Sequence, residues 1–175
     1  MKAQPLTDAQ RDHYRPMRIW KSLDAERRHA AAEAFWKSDL VKGTDKAATI
    51  EVLATTMHFR HQTIRTAPLS KRAGYLANSN ALNDQVAGTL LYVYHMERQK
   101  PLLTKFLDAL GVEHEDGQIK DEMEPPAKEA LEKAVDALFA ECDRKDVLLY
   151  LETLLAQDAV TWGPLAEILE ARQAE

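Results

Sequence analysis

His58 and His61 stand three residues apart, a spacing that sets two imidazoles side by side on a helix. Imidazoles so placed can share a transition metal or line a polar ligand pocket, provided further ligands arrive from elsewhere. His95 is the natural third member, so His58, His61 and His95 form the candidate ligand or metal site. On a helical wheel His95 shares a side with Asp84, Gly88 and Leu91, with Tyr92 and Tyr94 on the adjoining sides. An interior glycine costs about 1 kcal/mol relative to alanine, so Gly88 marks a close approach of another backbone or of a ligand. Ordinary packing competes with this chemistry. His61 falls on the apolar stripe of Ile50, Met57 and Ile64 and reads as a satisfied core histidine, with His58 at the surface. No metal site is firmly predicted, and no cofactor is implied.

A second group of residues suits recognition. Arg15, Arg18 and Trp20 lie in the first segment, and Arg60, Arg65, Lys71 and Arg72 lie in a window from Glu51 to Asp84 with no acidic residue between them. Residues 1–100 carry 16 basic and 10 acidic side chains, and residues 101–175 carry 7 and 18, so the halves differ by +6 against −11. Such an asymmetry can mark a polyanion site on the basic half. Mutual neutralisation of two packed halves explains it as well. The sequence pI near 5.7 and the lack of a helix-turn-helix signature argue against nucleic acid. Trp, Tyr and Arg are the residue types enriched at protein interfaces, so this set is the candidate partner surface.

Known catalytic signatures are missing. The chain has no Gly-x-Gly-x-x-Gly, Walker loop, Gly-x-Ser-x-Gly or His-Glu-x-x-His, and its 6 glycines are few for a phosphate cradle. The carboxylates from Glu113 to Glu132 are interleaved with lysines, as on a solvated face. No catalytic residue is assigned, and the chain reads as non-enzymatic.

The elements that must position these groups are helices. The chain has 26 Ala and 22 Leu against 8 Val and 5 Ile, with only 6 Gly and 7 Pro among 175 residues. Unbranched side chains keep their rotamer freedom in helices, whereas β-branched ones suit strands. Residues 1–23 read as an arm packing on the body through Met17, Ile19 and Trp20, with Thr7 to Gln10 at capping-box spacing and a short helix stopped before Pro16. Residues 24–175 read as a single helical domain, basic over 24–100 and acidic over 101–175. Its helices are expected over 24–37, from 46 to the stop at Pro68, over 70–77, 81–98 and 101–110, from Pro125-Pro126, over 145–157, and from Gly163. Leu82, Val86, Leu90, Leu91, Tyr92, Val93 and Tyr94 leave 81–98 apolar nearly all round, which makes it the buried central helix. Asp116-Gly117 signals a turn in the irregular stretch 112–124, as a hairpin or a plain loop.

The expected fold is all-α: an orthogonal or irregular bundle of seven to eight helices. The longest central stretch free of charge, Gln85 to Met96, has 12 residues, where a membrane span needs about 20. With a lone Cys142 and a charged N-terminus, the chain reads as soluble and cytoplasmic, without a membrane partner. A protein–protein interaction module, binding a partner or a second copy, is the leading expectation. A histidine-lined pocket for a small molecule or metal is the second, and a polyanion binder the third.

Overall fold

The computed structural model describes residues 4–119, 124–157 and 160–175. Among them the chain forms eleven helices and one two-stranded hairpin, so the all-α expectation holds. Thr7 opens α1 (Asp8–His13) with a complete capping box: its hydroxyl accepts from the Gln10 N–H, and the Gln10 side chain accepts from the Thr7 N–H. α1 stops before Pro16 as its position predicts, and Pro16 begins a further helix. It stands in the first turn of α2 (Pro16–Ser22), where its missing N–H is no loss. Asp24 caps α3 (Ala25–Lys37) by accepting from the Arg27 N–H at 2.7 Å.

The long helix expected from residue 46 is split in two. α4 (Gly43–Met57) ends at His58, whose φ of 57° is left-handed, and α5 (His61–Arg65) starts afresh. α6 (Leu69–Ala77) follows. These extra breaks, together with α2, raise the helix number above the expected seven or eight. α7 (Asp84–Arg98) begins three residues later than expected, because Asn83 supplies the cap, its side chain accepting from the Val86 N–H. α8 (Lys100–Leu110) ends at Gly111 in the left-handed region. The stretch after it is a hairpin: β1 (His114–Glu115) pairs antiparallel with β2 (Gln118–Ile119). Asp116 and Gly117 both have positive φ, as a two-residue type I′ turn requires. The remainder of that stretch, 120–123, lies outside the described residues. α9 (Lys128–Glu141), α10 (Arg144–Leu155) and α11 (Gly163–Gln173) complete the chain.

Packing divides these helices between two apolar clusters. The first is built from α2, α3, α4, α5, α6 and α7, around Trp20, Phe35, Leu53, Ile64 and Leu90. The second is built from α8 to α11, around Phe106, Leu131, Leu138, Leu151 and Trp162. The change of cluster falls at the α7–α8 junction, where the charge of the sequence also changes sign. α7 buries Ala87, Leu90, Leu91, Val93, Tyr94 and His95 and packs against α2, α3, α8 and α10, which is the central role expected of it. α10 meets it at the seam and contributes Leu149 to the first cluster.

The N-terminal segment ties the clusters together. Leu6 and Tyr14 belong to the second, while Ile19, Trp20 and Leu23 belong to the first. The arm is thus a strap laid across both clusters. One ion pair also crosses the seam: Arg27 on α3 reaches Asp146 on α10 at 3.0 Å while holding Asp24 at 2.6 Å. The Asp146 hydrogen bond raises the Arg27 pKa, so this guanidinium stays charged.

Candidate functional site

His58 and His61 flank the corner between α4 and α5, and both are exposed. His61 is therefore not the core histidine that the stripe predicted. The left-handed turn at His58 rotates the chain, so that Ile64 reaches the core and His61 does not. His95 is only 2% exposed. Its Nδ1 lies 2.7 Å from the Leu91 carbonyl and must carry the proton that makes this bond, which leaves Nε2 as an acceptor without a partner. The Tyr94 and Tyr150 rings stand 5.3 and 5.8 Å away. Burial pushes the His95 pKa down to about 4, against the raising effects of the Leu91 bond and of Asp146. The three histidines do not meet, and no group of three or more His, Cys, Asp or Glu among the described residues could hold a metal ion.

Asp84, placed beside His95 by the helical wheel, serves the strap instead. One oxygen accepts from Arg15 Nε and Nη2 at 3.1 and 2.8 Å, and the other accepts from the Met17 N–H at 3.1 Å. α2 has no side-chain cap of its own, so Asp84 supplies one from another helix. The Arg15 hydrogen bond, then the Met17 N–H, holds the Asp84 carboxyl below the ordinary carboxylate range against a desolvation effect of opposite sign. This contribution to stability is present above that range and lost as the pH falls through it. Replacing a capping carboxylate costs about 1 kcal/mol. Asp84→Ala should lower stability by that amount in urea unfolding at pH 7, and the difference from wild type should vanish in acid.

The expected partner surface separates into two parts. Its N-terminal members are used internally: Trp20 is buried in the first core, Arg15 binds Asp84, and Arg18 binds Asp12 at 2.8 Å. Trp20 thus anchors the strap and presents nothing to a partner. The other part stays on the outside. Arg60, Arg65 and Lys71 are exposed and make no ion pair among the described residues. Arg72 is half-buried, its guanidinium 5.5 Å from the centre of the Trp36 ring, so it stiffens the base of this face.

Two aromatics complete the face. Phe59 is 40% exposed and meets Tyr75 edge to face at 5.7 Å, which joins the α4–α5 corner to α6. Lys71 and Tyr75 border a groove of about 520 Å³ whose other walls come from Thr56, Met57, Gly74 and Asn78. None of the residues lining it is acidic. The chain matches no protein-family model, no curated protein and no solved structure. The site therefore rests on its own chemistry: positive charge at Arg60, Arg65 and Lys71, the exposed Phe59 edge-on to the half-buried Tyr75, and the groove that Lys71 and Tyr75 border. Phe59 and Tyr75 escaped the sequence reading, although both sit within the acid-free window that pointed to the arginines. No described helix is long and apolar enough to cross a membrane.

Proposed function

We propose that this protein is a non-enzymatic interaction module whose α5–α6 face docks an acidic, aromatic- or leucine-bearing segment of a partner protein. The observation that carries this reading is that Arg60, Arg65 and Lys71 are exposed and make no ion pair among the described residues, in the same chain segment as the exposed Phe59 and its half-buried partner Tyr75. A fixed positive patch steers an acidic segment and raises its association rate, while apolar contact supplies the attraction that salt does not screen. A groove bordered by Tyr75 gives such a segment one side-chain socket.

Fluorescence anisotropy tests this with a labelled peptide rich in Glu and Asp and interspersed with Leu and Phe. The peptide should bind at low salt, and the triple variant Arg60→Glu, Arg65→Glu, Lys71→Glu should weaken it by at least about tenfold, or 1.4 kcal/mol. Phe59→Ala should weaken it further at high salt, where charge counts least. Three results would overturn the reading: affinity unchanged in the triple variant, tighter binding of a single-stranded oligonucleotide than of the peptide, or a salt-sensitive self-association that occupies the face.

A further inference from the structure

Gly74 is a mid-helix glycine that the fold does not require. It is the sixth of nine residues in α6, where a missing side chain costs helix stability relative to alanine. Two demands ordinarily justify that loss. A left-handed backbone is one; Gly111 and Gly117 meet it, whereas Gly74 lies in a regular helix. The close approach of a neighbouring element is the other. A Cβ at Gly88 would touch Pro16, but one at Gly74 would meet no atom within 4 Å beyond its chain neighbours and its own helix backbone. α6 packs inward through Ala73, Leu76 and Ala77, so where small residues are needed for packing they are alanines.

The missing side chain leaves open the middle of the groove beside α6. Lys71, Gly74, Tyr75 and Asn78 recur at helical spacing and form one face of the helix. All four line the groove of about 520 Å³, against Thr56 and Met57 at the end of α4. The half-buried Met57 and Tyr75 give it apolar sides, and a side chain at position 74 would grow into the space between. The geometry points to Gly74 as the residue that sets the specificity of the α5–α6 face: by keeping the groove open it admits one large apolar side chain, aromatic or leucine, of the docked acidic segment. This rests on the docking proposed above, for which a lysine at the groove and no carboxylate in its lining supply the charge match. The anchor lies against Met57 and Tyr75, and an acidic residue next to it reaches Lys71. Helix stability is given up here for selectivity, as happens at functional sites.

Two labelled peptides test this on the full chain, identical in their Glu and Asp residues and differing only in a central Phe or Ala. In fluorescence anisotropy the Phe peptide should bind at least about tenfold tighter than the Ala peptide. Gly74→Leu should cut that ratio below about twofold while binding the Ala peptide as wild type does, with the same salt dependence, since the cations are untouched. Gly74→Ala keeps the test decisive if leucine disturbs the fold. Its methyl should raise the thermal midpoint by about 2–4 °C, yet lower the ratio about fourfold, as one displaced methylene's contact would. A glycine that served only the fold would move both peptides alike. Equal binding of the two peptides by wild type, or an unchanged ratio in both variants, overturns the role of Gly74 and leaves the docking face standing. Failure of both peptides to bind overturns the docking reading and this inference with it.

Discussion

Gly163→Ala should unseat the strap. Gly163 opens α11 and donates its N–H to the Gln4 carbonyl at 3.1 Å. A Cβ at this position would lie 2.2 Å from that same oxygen, 3.1 Å from the Gln4 carbonyl carbon and 3.2 Å from the Pro5 oxygen. All three are backbone atoms, which cannot swing aside as the end of a side chain can. The methyl therefore displaces residues 4–6 and breaks the bond that locates them. Leu6 and Tyr14 are the strap's apolar contribution to the second cluster. Exposing side chains of this size costs roughly 1.5–3 kcal/mol each, so a loss of about 3 kcal/mol is expected. In a chain of this length that lowers the melting temperature by about 10 °C. Hydrogen exchange should show residues 4–14 losing protection while α3 and α7 keep theirs. In a chain truncated before Pro16 the same substitution should cost little, because the two changes remove one interaction. Wild-type stability and an undisturbed strap in Gly163→Ala would contradict the assignment.

Acid should weaken the seam through His95. An exposed histidine titrates near 6.5, whereas burial holds His95 near 4 in the folded chain. Between these values the unfolded chain takes up the proton and the folded one does not, so stability rises with pH across this window. The neutral imidazole's contribution is complete above about 6.5, falls as the pH drops towards 4, and is constant below. The full difference is on the order of 3 kcal/mol. The neighbouring groups do not rescue the charged form. Tyr94 and Tyr150 offer rings, the Tyr150 hydroxyl has no partner, and Asp146 is already bound by Arg27. Denaturant unfolding at pH 7 and at pH 4 should therefore give His95→Leu a smaller loss than wild type, by about that amount. An equal loss in both would place the acid sensitivity elsewhere.

Much of the fold was written locally, and those parts were legible. The Thr7–Gln10 capping box and the Asp116-Gly117 turn each depend on a few adjacent residues, and each forms where its spacing predicts. The apolar ring of α7 likewise announced burial on several sides. Harder to read were positions with two local solutions. The stop before Pro16 was legible, but the new helix that Pro16 opens was not, because its cap comes from Asp84, 67 residues beyond Met17. The stripe through Met57 and His61 continues on paper to Ile64, but the left-handed residue His58 shifts its phase. Tertiary partners were out of reach altogether. Nothing near Gly163 names Gln4, and nothing near Trp20 says whether its ring faces a partner or the core.

The candidate surface followed the same division. Its charge was legible because an acid-free window is a property of the sequence, and the Arg27–Asp146 pair that crosses the seam leaves Arg60, Arg65 and Lys71 untouched. Which of its cations remain outside was not legible, since Arg15 and Arg18 find carboxylates on the strap and α7.

The α5–α6 face as the docking site is tested most directly by mapping. Amide chemical shifts of the full chain, followed while the acidic peptide is added, report which residues meet it. The largest changes should cluster over residues 59–78, with Phe59, Arg60, Lys71 and Tyr75 among them, and should vanish in the triple charge-reversal variant. Changes centred on α9, or spread evenly over the surface, would contradict the assignment of this face.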